Sequence, residues 1–119
     1  MLERGFYMAK DDYHVIIYQI LAYLYQQLKR GQKVDIEKLS NNGGLFEINK
    51  NYYMFIMSSL VKTDLISGVI IVNSLSQQYI DGLENIQITV KGIEYLLDNA
   101  FLKKAHKFLK DIKEITPFI

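Results

Sequence analysis

The stretch from Ile86 to Leu97 constrains the fold most strongly, because a strand pattern turns into a helix pattern there without an intervening loop. Ile86 and Ile88 alternate with a polar residue, which is typical of a half-buried strand. The apolar residues that follow recur at the three- and four-residue spacing of a helix face: Ile93, Leu96, Leu97 and Ala100. The sequence therefore predicts a strand that runs directly into a helix.

Thr89 and Gly92 lie at this boundary. A threonine hydroxyl at the N-cap accepts a hydrogen bond from an unpaired amide of the first helical turn, which usually stabilises a helix by about 1 kcal/mol. A glycine in that turn costs about 1 kcal/mol relative to alanine. We therefore expect Thr89 to cap the helix, and we expect another backbone to lie close to Gly92.

The composition is that of one soluble domain. Half of the 119 residues are apolar, which is enough for a single core. The 14 basic and 13 acidic residues leave a net charge of +1, so no overall attraction to nucleic acid or to an anionic membrane is expected. The chain has no cysteine, and its longest apolar run, Val15 to Tyr25, is too short to span a bilayer. These features favour a cytoplasmic protein.

Two helices are predicted in the first 40 residues, after an N-terminal extension of residues 1–7 that shows no periodicity. The first helix runs from Asp12 to a stop at Gly31, and its apolar residues are numerous enough to place it at the centre of the core. A short second helix is predicted over residues 34–40, with Ile36 and Leu39 facing inward.

A third helix is predicted from about Asn49 to Thr63. Its inward face has Tyr53, Ile56, Met57 and Leu60, and its opposite face has Asn51, Phe55, Ser58 and Lys62. The β-branched residues 66–72 then predict a strand, residues 73–83 a polar turn, and residues 86–88 the antiparallel partner strand. After the junction helix, a last helix is predicted over residues 101–115, and Pro117 prevents its continuation.

This order of elements predicts a single α+β domain of the winged-helix type, which is a helix-turn-helix core followed by a β-hairpin wing. Residues 1–7 would be an extension, residues 8–100 the winged-helix domain, and residues 101–119 a C-terminal amphipathic helix.

Two stretches resemble known winged-helix chains. Leu60 to Gly68 and Ile88 to Gly92 resemble a chain whose wing returns into a Leu-Thr-x-x-Gly helix start, with Asp64 where glycine is common. More narrowly, Met8 to Tyr13 and Ile88 to Pro117 are similar to the YjcQ family of small bacterial and phage proteins, a resemblance that covers the chain from Met8 onward. The resemblance implies a winged-helix fold.

A DNA site would use the outward face of the third helix, because an α-helix fits the major groove and asparagine or serine side chains bond base edges. With only two lysines and no arginine there, we expect weak binding or none by a monomer, and an ordinary solvated surface is the favoured alternative. The candidate DNA-binding residues are Asn49, Lys50, Asn51, Ser58 and Lys62 on the helix, and Asn73, Gln77 and Gln78 at the wing.

Phe55 lies among these polar positions. We expect a slight rotation of the helix to bury it, since an exposed aromatic side chain would instead mark a contact with a partner.

The sequence has little that could serve catalysis. His14 and His106 are far apart and have no companions at metal-ligand spacing, so we expect surface histidines. Asp11 with Asp12 is expected to start a helix, and Gly43-Gly44 lacks the lysine of a phosphate-binding loop. We therefore predict no enzyme, cofactor, metal or small-molecule ligand.

The last helix has two alternatives. It could pack on its own domain with its lysines in solvent, or it could form the seam of a homodimer. A membrane-surface role is weaker because Asp111 and Glu114 interrupt the basic charge. The residues of the predicted dimer seam are Phe101, Ala105, Phe108, Ile112 and Ile115.

The sequence as a whole favours a small DNA-binding or transcription-associated protein, of phage origin by resemblance. The alternative is a winged-helix module that binds another protein and no DNA, which the net charge near zero and Phe55 would suit.

Overall fold

The computed structural model describes residues 8–112, so the predicted extension 1–7 and Ile115 lie outside the described residues. Within that range the chain forms four α-helices and four short strands, and the predicted α+β class is confirmed. The helices are α1 (Tyr13–Arg30), α2 (Lys50–Lys62), α3 (Val90–Asp98) and α4 (Ala100–Asp111). The strands are β1 (Ile66–Ser67), β2 (Ile70–Asn73), β3 (Gln78–Asp81) and β4 (Gln87–Ile88).

Helix α1 is the centre of the core, as predicted. Between Val15 and Leu24 all of its residues except Gln19 are buried, and α3, α4 and β4 pack against it. It ends where expected, because Gly31 takes the left-handed conformation (φ 65°) and its amide donates to the carbonyl oxygens of Gln27 and Leu28.

The predicted second helix is wrong. Residues 36–39 form consecutive turns in which the amides of Lys38, Leu39 and Ser40 bond the carbonyl three residues earlier. Leu39 is buried as expected, but Ile36 is exposed. A segment this short gains too little from burying one leucine to complete a helix.

Helix α2 is confirmed, with the expected inward residues buried. Its N-cap is Asn49, whose side-chain oxygen accepts a hydrogen bond from the amide of Tyr52 (2.8 Å). After the C-cap Thr63, Asp64 has a φ of 62° and ends the helix in the position where related patterns have glycine. Aspartate is one of the few residues that tolerate this conformation.

The hairpin is longer and more bent than predicted. The expected pairing is confirmed, because Ile66 of β1 lies opposite Ile88 of β4. The predicted single strand over residues 66–72 is wrong, since Gly68 (φ 88°) divides it into β1 and β2. The predicted turn over residues 73–83 contains strand β3, which pairs with β2 and places Ile80 opposite Ile71. Only Ile80 of β3 is partly buried, so the sequence there lacks a clear alternating pattern.

Thr89 joins β4 to α3 and also ties both to the end of α2. Its hydroxyl accepts a hydrogen bond from the amide of Gly92 (2.9 Å), which confirms the predicted cap, and donates to the carbonyl oxygen of Asp64 (2.7 Å). Its amide donates to the carbonyl oxygen of Leu65 (3.1 Å). One residue thus fixes the position of α3 relative to α2.

Helix α4 packs against α1 and α3 in the same core, and only Asn99 separates it from α3. The side chain of Asn99 caps it by accepting from the amides of Phe101 and Leu102. Its buried residues are Leu102, Ala105 and Leu109, and the seam predicted from sequence contains Ala105 but neither leucine. Of the predicted seam residues, Ala105 is therefore buried within its own chain.

We predict that Gly92→Ala lowers the free energy of unfolding, although alanine favours helix. A Cβ at this position would lie 2.2 Å from the carbonyl oxygen of Leu65 and 2.7 Å from Cγ1 of Ile88. Overpacking of this kind typically costs about 1–3 kcal/mol. Urea denaturation of Gly92→Ala beside Lys91→Ala, a change at an exposed position of the same turn, measures the difference. Equal stability of the two variants would contradict the close approach.

Candidate nucleic-acid interface

One side of α2 faces solvent over three turns and contains four residues at helical spacing. Asn51, Phe55 and Lys62 are exposed and Ser58 is partly buried. Helix α2 contains no acidic residue, and Lys50 and Lys62 lie at its two ends, about 18 Å apart along the axis. We call Asn51, Phe55, Ser58 and Lys62 the α2 stripe.

Phe55 is 65% exposed, so the expectation that it is buried is wrong. The inward face of α2 is already formed by other residues, and Phe55 shares the outward direction of Asn51 and Lys62. Its ring meets that of Tyr13 edge to face, with the centroids 6.2 Å apart. The hydroxyl of Tyr13 is hydrogen-bonded to that of Ser59, which holds Tyr13 against α2. Phe55 is therefore exposed but supported on one side.

The aromatic contacts continue from Tyr13 across α1 to α4. His14 meets the Tyr13 ring edge to face (5.2 Å) and stacks on Phe101 with centroids 4.7 Å apart. Partial burial lowers the pKa of His14 below its usual 6.5, and the nearby Asp12 carboxylate opposes that effect. His106 lies against Tyr18 in a tilted arrangement (5.4 Å). Both histidines are half-buried packing residues, which corrects the expectation of surface histidines.

The structure places the candidate DNA-binding residues in two groups. On α2, Lys50, Asn51 and Lys62 are exposed, whereas the side-chain oxygen of Asn49 is used in the cap. At the hairpin turn, Gln78 donates to the side-chain oxygen of Asn73 (2.8 Å), and the amide of Gln77 donates to the hydroxyl of Ser74. On α2, Asn51 and Lys62 point to the same side and Lys50 lies about 100° away around the helix axis. The turn group is partly occupied in holding the hairpin together.

The hairpin surface differs from α2 in charge. Residues 63–90 contain no lysine or arginine, and their charged residues are Asp64, Asp81 and Glu84. Leu75 at the turn is fully exposed, and Ile70 and Tyr79 are largely exposed. The hairpin therefore has no lysine or arginine that could contact a DNA phosphate.

Helix α4 has two different flanks beside its buried seam. Lys103, Lys107 and Lys110 are exposed on one flank, and Lys107 pairs with Asp111 (3.1 Å). Phe101 and Ile112 are exposed and Phe108 is half-buried on the other flank. The predicted homodimer stays a prediction. Of the predicted seam residues within 8–112, those on the second flank are accessible to a partner and Ala105 is not.

A cavity of about 380 Å³ lies where the segment before α1, the loop before α2, and α4 meet. Gln19 lines it and donates to the carbonyl oxygen of Leu45 (2.7 Å), but the other atom of its amide, Oε1, is buried without a partner among residues 8–112. Because Oε1 is shielded from solvent, a molecule in the cavity could not reach it.

Among residues 8–112, no group of three or more histidine, aspartate or glutamate side chains could hold a metal ion. No helix in the same range has the length and apolar character needed to cross a membrane.

Comparison with protein families matches residues 18–115 to the family described as YjcQ protein. No curated protein and no solved structure matches the chain.

Proposed function

The chain belongs to the YjcQ family, and from its exposed surfaces we propose that it is a winged-helix protein that binds double-stranded DNA through the α2 stripe. The observation that supports this most is the stripe itself. Its residues Asn51, Phe55 and Lys62 are exposed along a helix that has a lysine at each end and no acidic residue. Such a helix complements both the shape of the major groove and the charge of the phosphates beside it.

The winged-helix interpretation assigns a role to each element around α2. The turns at residues 36–39 take the place of the first helix of a helix-turn-helix, and α2 is the recognition helix. The two paired segments β1–β4 and β2–β3 form the wing. Helix α2 contacts β1, β2 and β3, and Asn51, Phe55 and Lys62 of its stripe stay exposed and available for DNA.

Binding by one copy should be weak, because two lysines neutralise few phosphates. A homodimer would compensate, since the second copy binds at the effective concentration set by the first. The exposed flank of α4, with Phe101, Phe108 and Ile112, is the surface we propose for that contact. Ala105, which is buried against the chain's own core, takes no part in it.

A second candidate function is a protein-binding module without DNA affinity. The observation that favours it is the hairpin, which has no cation and exposes Leu75, Ile70 and Tyr79. Exposed apolar side chains of this kind commonly mark a protein contact.

We predict that exchanging both end lysines of α2, Lys50→Glu with Lys62→Glu, removes binding to random-sequence duplex DNA at low salt. If residual binding is measurable, the slope of log affinity against log salt should flatten by about two units, because two phosphate contacts are lost. A matched control, Lys29→Glu with Lys33→Glu, gives the same change in net charge at exposed positions away from α2. Equal losses in both variants would show that net charge, not α2, governs binding.

We predict that the full chain dimerises through the exposed flank of α4. Phe108→Ser with Ile112→Ser should shift sedimentation from dimer toward monomer, because apolar area buried between the copies is lost. Lys103→Ser with Lys110→Ser, on the opposite flank, should leave the mass unchanged. A wild-type chain that stays monomeric at high micromolar concentration would rule out the dimer.

A further inference from the structure

The N-terminal half of the α2 stripe contains one amide and one aromatic ring. The side chain of Asn51 is exposed, and its amide bonds no residue within 8–112. Phe55 follows one turn later, about 6 Å along the helix axis. That distance is close to two base-pair steps of about 3.4 Å each. The two side chains can therefore face base pairs two steps apart, with one pair between them.

The four bases present different groups in the major groove. Adenine offers an acceptor and a donor that an asparagine amide can bond together, and thymine offers a methyl group that an apolar side chain can contact. Guanine is usually contacted by arginine or lysine. Helix α2 has no arginine, and its two lysines lie at its ends rather than in the middle of the stripe.

We infer that the α2 stripe recognises adenine–thymine pairs in the major groove, with Asn51 bonded to adenine and Phe55 in contact with the thymine methyl group. This inference rests on the proposed DNA binding and adds the base class to it. Lys50 and Lys62 contact phosphates on either side of these bases and contribute affinity without sequence preference.

Phe55 is suited to this contact because its ring is already held in place. Tyr13 packs against it edge to face, and Tyr13 is itself fixed by the hydrogen bond to Ser59. A ring that is ordered before binding loses little conformational freedom on entering the groove. Its free side remains open to the base, since the residue is 65% exposed.

The experiment compares three duplexes of equal length by fluorescence anisotropy with the full chain at low salt. One has alternating adenine–thymine pairs, one has the same sequence with deoxyuridine in place of thymidine, and one has alternating guanine–cytosine pairs. The uridine duplex keeps the base pairing and removes only the methyl groups. We expect it to bind about threefold to fourfold more weakly for each methyl contacted, the equivalent of about 0.8 kcal/mol. The guanine–cytosine duplex should bind more weakly still.

Variants of Phe55 and Asn51 show which residue causes each difference in affinity. Phe55→Ala should bind the thymidine and uridine duplexes equally, and Phe55→Leu, which stays apolar, should restore part of the difference. Asn51→Ala should lose the preference over guanine–cytosine pairs by about tenfold. Tyr79→Ala removes an exposed aromatic ring of the hairpin, outside both the α2 stripe and the exposed flank of α4, and should keep the wild-type ratios. All three positions are exposed, and a thermal melt confirms folding.

The outcomes separate the two proposals. Binding to duplex DNA with equal affinity for thymidine and uridine would overturn the base preference and leave the DNA-binding function standing. A methyl effect that persists in Phe55→Ala would also overturn it, because another residue would then contact the methyl group. Absence of wild-type binding to all three duplexes would overturn the function and the preference together.

Discussion

The contact of Thr89 and Gly92 with the chain at the end of α2 is the constraint that fixes how α2, α3 and the hairpin are arranged. Three hydrogen bonds of Thr89 connect the start of α3 to Asp64, Leu65 and its own first turn. Gly92 allows that turn to approach the carbonyl of Leu65 so closely that no side chain would fit between them. Because the hairpin begins at Ile66, the same contact also fixes where the hairpin leaves α2. The burial of Tyr53, Ile56, Met57 and Leu60 then leaves the α2 stripe on the outward side of the helix.

The parts of the fold that were predicted from sequence are those where burial follows a regular period. Helices α1 and α2 have inward faces of closely spaced apolar residues, and the junction has a cap and a glycine at defined positions, so local pattern and tertiary structure agree. Two segments were not predicted because each contributes a single residue to the core and so has no periodic pattern. They are the turns at residues 36–39, which bury Leu39, and strand β3, where Ile80 packs against the core.

On α4, two apolar rows were present and the sequence alone did not decide which one is buried. Leu102 and Leu109 lie against α1, whereas Phe101 and Ile112 remain exposed. The choice is set by the shape of the core rather than by hydrophobicity. The exposure of Phe55 was not predictable from sequence for the same reason. Its aromatic character favoured burial, but its actual exposure depends on how much space the inward face of α2 leaves.

The positions of the charged residues distinguish the two proposed functions better than the net charge does. The net charge of +1 is the sum of regions that differ in charge. Helix α2 has two lysines and no acidic residue, whereas residues 63–90, which include the hairpin, have three acidic residues and no lysine or arginine. If DNA is bound, α2 must provide most of the contact and the hairpin must add little to phosphate binding. A protein partner would instead be expected at the exposed apolar residues of the hairpin.

Amide chemical-shift mapping of the full chain with an adenine–thymine duplex at low salt tests DNA binding by the α2 stripe directly. We expect the largest shifts on the α2 stripe, at Asn51, Phe55, Ser58 and Lys62, and little change in β2 and β3. Shifts confined to the hairpin, or no shifts at any residue, would contradict it.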